Sequence, residues 1–392
     1  MSKAHVAILG AGPVGLEAAL ACHEHGFSFT IYEAASRVAG HVRDWRHVRM
    51  FTPWSMNLSP RMAAVLEAAG KPLPDKDRCP TGGELVDELL EPVAETSQIA
   101  PNLRLASRVL SVGREGLLKH EEIGSAMRAR RAFRLLIEDD AGHEHFEHAD
   151  VVFDCTGNTV PNSLGGSGVP ALGERRFEDR IDRRVPAPDE LKAFAGRRVL
   201  LVGAGHSAQT ALAALLDAGA GEIHWVPRGG NPEPLPEDPL PERAVLMTRA
   251  AQAAAEPPVG LVVHTETTVE SIVETASGSL TVELAGPSGM RREVEVDRVL
   301  ALTGRVGDHL IYRQLQIHEC YATSGPMKLA AALLGASGAS GDCLAQTSLG
   351  AETLKSPEPG FFILGSKSYG RRNDYLMSVG RQQVDEIFQL LD

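Results

Sequence analysis

The sequence predicts an α/β fold class: two Rossmann-like, three-layer ββα dinucleotide-binding domains. Three observations carry that prediction. The chain opens on an apolar run, Val6–Leu9, that ends in Gly10-Ala-Gly12-Pro13-Val14-Gly15. A small-residue helical segment and a second apolar run, Phe27–Tyr32, follow, and Glu33 closes the unit. The plan then recurs: Arg198–Val202 leads into Gly203-Ala-Gly205-His206-Ser207-Ala208, another small-residue helix, and a strand over Glu222–Arg228. Finally, both halves close on one pattern, Asp150-Val-Val-Phe-Asp-Cys-Thr156-Gly157 and Asp297-Arg-Val-Leu-Ala-Leu-Thr-Gly304, with Asp and Gly seven residues apart each time.

Each glycine of the first turn has a physical task. Gly10 allows the tight turn out of the strand, Gly12 lets a pyrophosphate approach the backbone, and Gly15 lets helix and strand pack closely. Phosphates then sit on unpaired N–H groups at the helix start, where the helix dipole favours negative charge. Glu33 lies 18 residues beyond Gly15, near the roughly 20 expected for the carboxylate that binds a ribose diol. In the second half Arg228 stands 20 residues after Ala208, where an acidic residue would select NAD. An arginine there can bind a 2′-phosphate, which favours NADPH; the alternative is a solvated arginine after a strand.

The elements follow in order. The stretch AASRVAGHVRDWRHVRMFTPW is aperiodic and reads as a loop. Ser59 caps a helix with Pro60 in its first turn and Gly70 as terminator. Thr81-Gly-Gly-Glu84 has capping-box spacing ahead of LVDELLEPVAE, a helix expected to bend at Pro92. From Leu103 the pattern is β: LRLASRVLSV, RAFRLLIE, a turn at Asp139–Gly142, and HEHFEHA. Pro161–Pro188 is rich in Gly, Pro and Arg, the composition of a hinge. After Arg228, LVVH, TVESIVE, SLTVELA and RREVEV read as strands. Beyond Gly304 the chain passes CYATSGPMKLAAALLG and a loose GASGASGD stretch to a short buried strand, Gly360-Phe-Phe-Ile-Leu-Gly365. Asn373 or Asp374 is expected to cap a last helix running to about Leu391. The first half is 46 residues longer than the second (147 from Gly10 to Gly157, 101 from Gly203 to Gly304), and the Trp-bearing loop and two helices account for most of that excess.

Composition narrows the function. At 392 residues the chain exceeds the roughly 250–300 that one core supports, so two domains are expected. Thirty-nine basic and 51 acidic residues give a net charge of −12, which argues against nucleic acid as a partner. No apolar run approaches the roughly 20 residues of a membrane span, and the first strand begins too early for a signal peptide, so neither a membrane association nor secretion is expected. The five cysteines (22, 79, 155, 320, 343) form no CxxC and no regular spacing. That usage suits a reducing cytoplasm, with no metal site and no disulfide framework.

Two dinucleotide motifs, each closed by a TG turn, and a late G-F-F-x-x-G strand resemble the two-dinucleotide-binding-domain flavoproteins, which include flavin-containing monooxygenases and thioredoxin reductases. The resemblance implies a discontinuous FAD domain, 1–160 with 305–392, and an inserted NADPH domain, 161–304. It places the FAD pyrophosphate on Gly10, Gly12, Pro13, Val14 and Gly15, and the ribose on Glu33. It sets the adenine against the backbone of Val109 and the isoalloxazine beside Thr156 and Gly157. The flavin's pyrimidine end falls near Gly365 and the helix beginning near Tyr375, whose dipole steadies charge on the reduced ring. NADPH falls on Gly203, Gly205, His206, Ser207, Ala208 and Arg228. The chain departs from the family in three places: it has no CxxC in the second domain, Gly365-Ser366 stands where Gly-Asp is usual, and no histidine fingerprint precedes the second motif.

Among reactive residues, Cys320 and Cys343 lie in the segment that the resemblance explains least. They are candidates for a thiol pair, with small buried core residues as the alternative. Cys155 reads as packing, and Trp45 and Trp54 either line a cavity or pin their loop to the core. The histidines at 143, 145 and 148 read as surface residues. The resemblance implies a monooxygenase that uses NADPH, FAD and O2 to oxygenate a small-molecule nucleophile through a flavin C4a-(hydro)peroxide. The alternatives are an NADPH-driven reductase of a thiol, metalloid or quinone, and a non-catalytic FAD-bound module. A homodimer is left open.

Overall fold

The computed structural model describes residues 3–234, 237–336 and 347–391, which form two compact units, Met1–Val160 with Val306–Asp392, and Pro161–Arg305. In the first unit, β1 (His5–Leu9) carries the unbroken apolar run Val6–Leu9, so both of its faces can be covered and its neighbours are parallel. It feeds α1 (Pro13–Glu24) and then β2 (Ser28–Tyr32). The loop expected after Glu33 contains two single helical turns, Gly40–Arg43 and Trp54–Asn57. Trp54 is fully buried and Trp45 packs against Gly82, so these aromatics pin the loop to the core.

The two expected helix caps are present. The Ser59 hydroxyl accepts from the Met62 N–H at the start of α2 (Pro60–Ala68), and Thr81 and Glu84 form a reciprocal capping box. The helical stretch from Gly82 to Ala94 takes a π-turn over Val86–Leu90 just before Pro92, which agrees with the expected distortion there. Glu17 on α1 is buried, and its charge is met by the Ser59 hydroxyl at 2.5 Å and the Arg61 guanidinium at 3.0 Å.

The β-rich stretch divides at Ala106, whose φ is +49°, into β3 (Leu103–Arg104) and β4 (Ser107–Arg114). β4 continues as an antiparallel meander with β5 (Phe133–Asp139) and β6 (Glu144–Ala149), and β7 (Val151–Asp154) returns to the parallel sheet. The histidines at 143, 145 and 148 are exposed on this meander.

The second unit begins with residues read above as a hinge, and that expectation needs correction. Pro161–Pro188 is packed around a buried carboxylate: Glu174 accepts N–H bonds from Leu164 and Ala171 and pairs with Arg183 at 2.9 Å. Its β8 (Ile181–Asp182) joins the second parallel sheet as an edge strand. That sheet continues with β9 (Arg198–Val202), α3 (His206–Asp217) and β10 (Glu222–Val226). A further helix, α4 (Pro241–Ala255), occupies a stretch where no element was expected; its alanine-rich sequence has little apolar periodicity to announce it. β11 (Leu261–Val263), the antiparallel trio β12 (Thr268–Glu274), β13 (Leu280–Ala285) and β14 (Arg291–Val296), and β15 (Arg298–Ala301) complete the unit. The sheet order is β11-β10-β9-β15-β8.

The chain then returns to the first unit with α5 (Met327–Ala336), β16 (Phe361–Ile363) and α6 (Met377–Leu391). β16 completes the order β16-β7-β1-β2-β3. The last helix starts two residues beyond Tyr375, and Asp374 pairs with Arg372 through Nε at 3.0 Å. Successive β1 residues alternate between two cores. Val6 and Ile8 pack with α1 and α6, while Ala7 and Leu9 pack with Val112, Phe133 and Leu135 of the meander. That alternation builds the three layers: helices, parallel sheet, antiparallel sheet.

Candidate dinucleotide and flavin site

The first glycine turn divides its labour as expected. Gly10 has φ +97°, and a Cβ there would lie 2.9 Å from the Cys155 carbonyl oxygen. A Cβ on Gly15 would lie 1.9 Å from the Gly10 carbonyl oxygen. Gly12 has an ordinary φ of −83°, and a Cβ there would meet nothing within 4 Å. Two glycines therefore close the turn and the third leaves open space above it. Gly12 caps α1 without a side-chain acceptor and Pro13 fills the first helical position. The N–H groups of Val14 and Gly15 thus lack intrahelical partners and suit an anion.

Glu33 lies against this turn. Its carboxylate accepts from the Ala11 N–H at 2.8 Å and the Ala35 N–H at 3.0 Å. Burial raises its pKa above the ordinary carboxylate value, and these N–H bonds oppose the shift. Val109 lies on β4, two residues past Ser107, whose N–H bonds to the Glu33 carbonyl oxygen at 2.9 Å. The Val109 side chain is buried in the core beside the meander.

Distant segments meet at the other end of the turn. The Thr156 Cα lies 3.3 Å from where a Gly10 Cβ would stand, and the Ser366 hydroxyl lies 3.4 Å from a Cβ built on Gly157. A Cβ on Gly365 would approach Val14 to 3.1 Å and the Tyr375 hydroxyl to 3.7 Å. The Tyr375 hydroxyl is buried against Gly380. Gly10, Val14, Thr156, Gly365 and Tyr375, from four stretches of sequence, therefore form one contiguous cluster with Gly157.

The second turn repeats the plan with changes. Gly203 has φ +122°, and its Cβ would lie 2.3 Å from the Leu302 carbonyl oxygen, while Gly205 again opens onto nothing within 4 Å. Ala208 takes the place of the third glycine and is buried. The turn is fixed from outside by the Gln209 amide, which donates to the Ala204 carbonyl oxygen at 3.0 Å, and by the Trp225 indole, which donates to Gly203 at 2.8 Å. His206 opens α3, with Ser207 exposed beside it. Burial and the Arg243 charge hold the His206 pKa below its ordinary value. Arg228 is exposed two residues past the end of β10.

Cys320 lies in a turn closed by its own N–H bonding to the Gly325 carbonyl oxygen at 2.8 Å. The Thr323 hydroxyl and the N–H groups of Thr323 and Ala322 hold its thiol pKa below the ordinary value. Burial pushes the Cys22 and Cys155 thiols well up. Cys343 lies outside the described residues. Among the described residues no three His, Cys, Asp or Glu side chains gather to hold a metal ion.

Sequence reasoning missed a buried ion pair next to Thr156 and a partly buried cluster beyond it. Lys367 bonds to Asp154 at 2.5 Å, and beyond it the His309 imidazole Nδ1 lies 2.9 Å from Glu319 and 2.6 Å from the Tyr312 hydroxyl. An acid inside the apolar run Val-Val-Phe-Asp was the available signal, since a buried carboxylate requires a partner.

Residues 8–64 match the family model described as an NAD(P)-binding Rossmann-like domain. Solved structures align over nearly the whole chain. Bacillithiol disulfide reductase Bdr from Bacillus cereus has a TM-score of 0.71 at 18% identity, covering 99% of this chain and 98% of its own. DfoA from Erwinia amylovora, a cadaverine monooxygenase solved with FAD, has a TM-score of 0.66 at 13% identity, covering 98% and 94%. The chain has the fold that these two solved enzymes share. Thioredoxin reductase from T. acidophilum shares this flavoprotein fold, with a TM-score of 0.60 at 16% identity and 99% coverage of both chains. Among curated protein sequences none matches significantly. No helix among the described residues is long and apolar enough to cross a membrane.

Proposed function

We propose that this chain is an NADPH-dependent FAD oxidoreductase, and specifically a monooxygenase acting on a small nitrogen or sulfur nucleophile. The observation that carries the reading is the pair of open glycine turns. Gly12 and Gly205 each stand at an uncapped helix start with free space above, so each fits a pyrophosphate. Gly10, Gly12 and the α1 N–H groups would hold the FAD pyrophosphate, Glu33 its ribose, and the Thr156–Gly365–Tyr375 cluster its ring end. Gly205, the α3 N–H groups and Arg228 would hold NADPH. Bound there, FAD supplies hydride acceptance and electron transfer to oxygen, chemistry for which no protein nucleophile is needed.

The thiols bear on the choice between oxygenase and reductase. Burial pushes the Cys22 and Cys155 thiols up, whereas Cys320, although itself buried, has its pKa lowered by the Thr323 hydroxyl and neighbouring N–H groups. That cysteine, together with the likeness to a disulfide reductase, favours a second reading, an NADPH-driven reductase using Cys320. The absorption spectrum of purified protein, with NADPH added first without and then with O2, tests both. Flavin bands bleached by NADPH, followed by a transient oxygen-dependent band, support the monooxygenase. Bleaching with reoxidation only by an added disulfide supports the reductase, and protein without flavin overturns both.

A further inference from the structure

We propose that the buried Lys367–Asp154 pair is the positioning element of the flavin site, locking together the segments that would surround the ring end of FAD. The inference rests on the reading of the first glycine turn as an FAD site. Both side chains are 0% exposed. The Lys367 ammonium donates to Asp154 Oδ2 at 2.5 Å, to the Asp308 carbonyl oxygen at 2.7 Å and to Thr156 Oγ1 at 3.1 Å. The other Asp154 oxygen accepts from the Thr156 hydroxyl at 2.6 Å and from its N–H at 3.2 Å. All three ammonium protons therefore have acceptors, and both carboxylate oxygens have donors.

Such a knot is an unpromising way to gain stability. Removing two charges from water costs about as much as their attraction returns, and apolar replacements of a buried pair are often at least as stable. Its geometric effect is specific. The pair fastens the turn after β7 (residues 154–157), the chain around Asp308, and the Gly365–Tyr369 turn after β16. Thr156 both donates to Asp154 and accepts from Lys367, which fixes its hydroxyl. The Asn158 amide adds a bond to the Ser366 carbonyl oxygen at 3.3 Å. These are the same turns whose Gly157–Ser366 and Gly365–Val14 approaches form the cluster described above. No carboxylate follows Gly365, since Ser366 stands there and the next residue, Lys367, turns inward to Asp154 instead.

The test compares Lys367→Met, Asp154→Asn and the double variant Asp154→Asn/Lys367→Met with the wild-type chain. Three quantities are read: FAD dissociation constant of the apoprotein by flavin fluorescence, midpoint potential of the bound flavin, and melting temperature without FAD. Each single variant is expected to bind FAD at least tenfold more weakly. Lys367→Met is also expected to shift the potential negative, because an unbalanced Asp154 charge opposes added electrons. The double variant is expected to recover the melting temperature but not the FAD affinity. It also carries the test should Lys367→Met fail to fold. A double variant with wild-type FAD affinity and potential would overturn the positioning role while leaving the FAD reading intact. A wild-type apoprotein that takes up no FAD overturns the FAD reading itself, and this proposal with it.

Discussion

The two glycine turns share a backbone plan and differ in how tightly they are closed. In the first, Gly15 permits a contact so close that any side chain would enter the Gly10 carbonyl oxygen, and the Glu33 carboxylate grips Ala11 from the other side. In the second, an alanine suffices at the third position, the cap Gly205 is exposed, and the fixing bonds come from a neutral amide and an indole. A tight, half-buried turn with a carboxylate suits a nucleotide that stays bound. An exposed turn followed by an exposed arginine suits one that arrives and leaves with each turnover. Duplicated motifs thus carry separate information in the residues around the glycines.

The largest predicted effect breaks this comparison at its tightest point. Gly15→Val forces a branched side chain into backbone atoms that cannot yield. It should cost about 3 kcal/mol of stability, read by urea unfolding. Gly12→Val adds its side chain where nothing stands within 4 Å, so the apoprotein should unfold within about 0.5 kcal/mol of wild type yet purify without flavin. Equal stability of Gly15→Val and Gly12→Val would show that the two glycines do not divide the work.

Arg228→Ala sharpens the contrast at the second turn. Loss of a charge-assisted contact to a 2′-phosphate should cost about 1.5–3 kcal/mol, or one to two decades in kcat/KM for NADPH, with NADH nearly untouched. Matching losses with both nucleotides would remove Arg228 from the specificity site.

How far these sites were legible depends on the range of the interaction. The glycine tasks, the Ser59 cap and the Thr81–Glu84 box are local, and spacing along the chain announced them. The Lys367–Asp154 pair joins residues 213 positions apart, and Glu358 gathers Arg114 and Arg128 from 244 and 230 positions away. Nothing in a local pattern pairs such residues. The Pro161–Pro188 segment misled for the opposite reason: its composition is that of a mobile linker, but Glu174 supplies acceptors for its turn N–H groups and gives it a fixed shape.

A pH experiment distinguishes the units that carry the two turns. In the second unit His224 and His264 are buried and stacked, with Nδ1 and Nε2 3.0 Å apart. Burial, together with the neighbouring histidine and Arg292, holds His264 down at about 4, while burial and Arg292 also lower His224 against the opposing pull of Glu222. The unfolded chain, with ordinary histidines near 6.5, binds protons first as pH falls. The stability contributed by the neutral pair is therefore fully present above about pH 6.5 and is lost progressively toward pH 4. A loss on the order of 2 kcal/mol is expected between pH 7 and 4.5, and His264→Phe should flatten it. An unchanged slope in that variant would assign the acid sensitivity elsewhere.

The smallest effect is predicted at Cys320, and it separates the two enzyme readings. On either proposed reading NADPH would reduce FAD, and a reductase would then have to pass the electrons on through sulfur. The Cys320 thiol is the described candidate because the Thr323 hydroxyl and two N–H groups favour its thiolate, whereas Cys155, although its carbonyl adjoins Gly10, is held protonated by burial. An oxygenase needs no such relay, since hydride transfer to flavin and reaction with O2 involve no thiol. Cys320→Ser is therefore expected to keep NADPH-dependent flavin bleaching and O2 consumption within about twofold of wild type, a change below about 0.5 kcal/mol. The contrary result has a definite signature. A Cys320→Ser protein that bleaches normally with NADPH in the absence of O2, but loses turnover with every acceptor, would place a sulfur step after the flavin and make this chain a reductase.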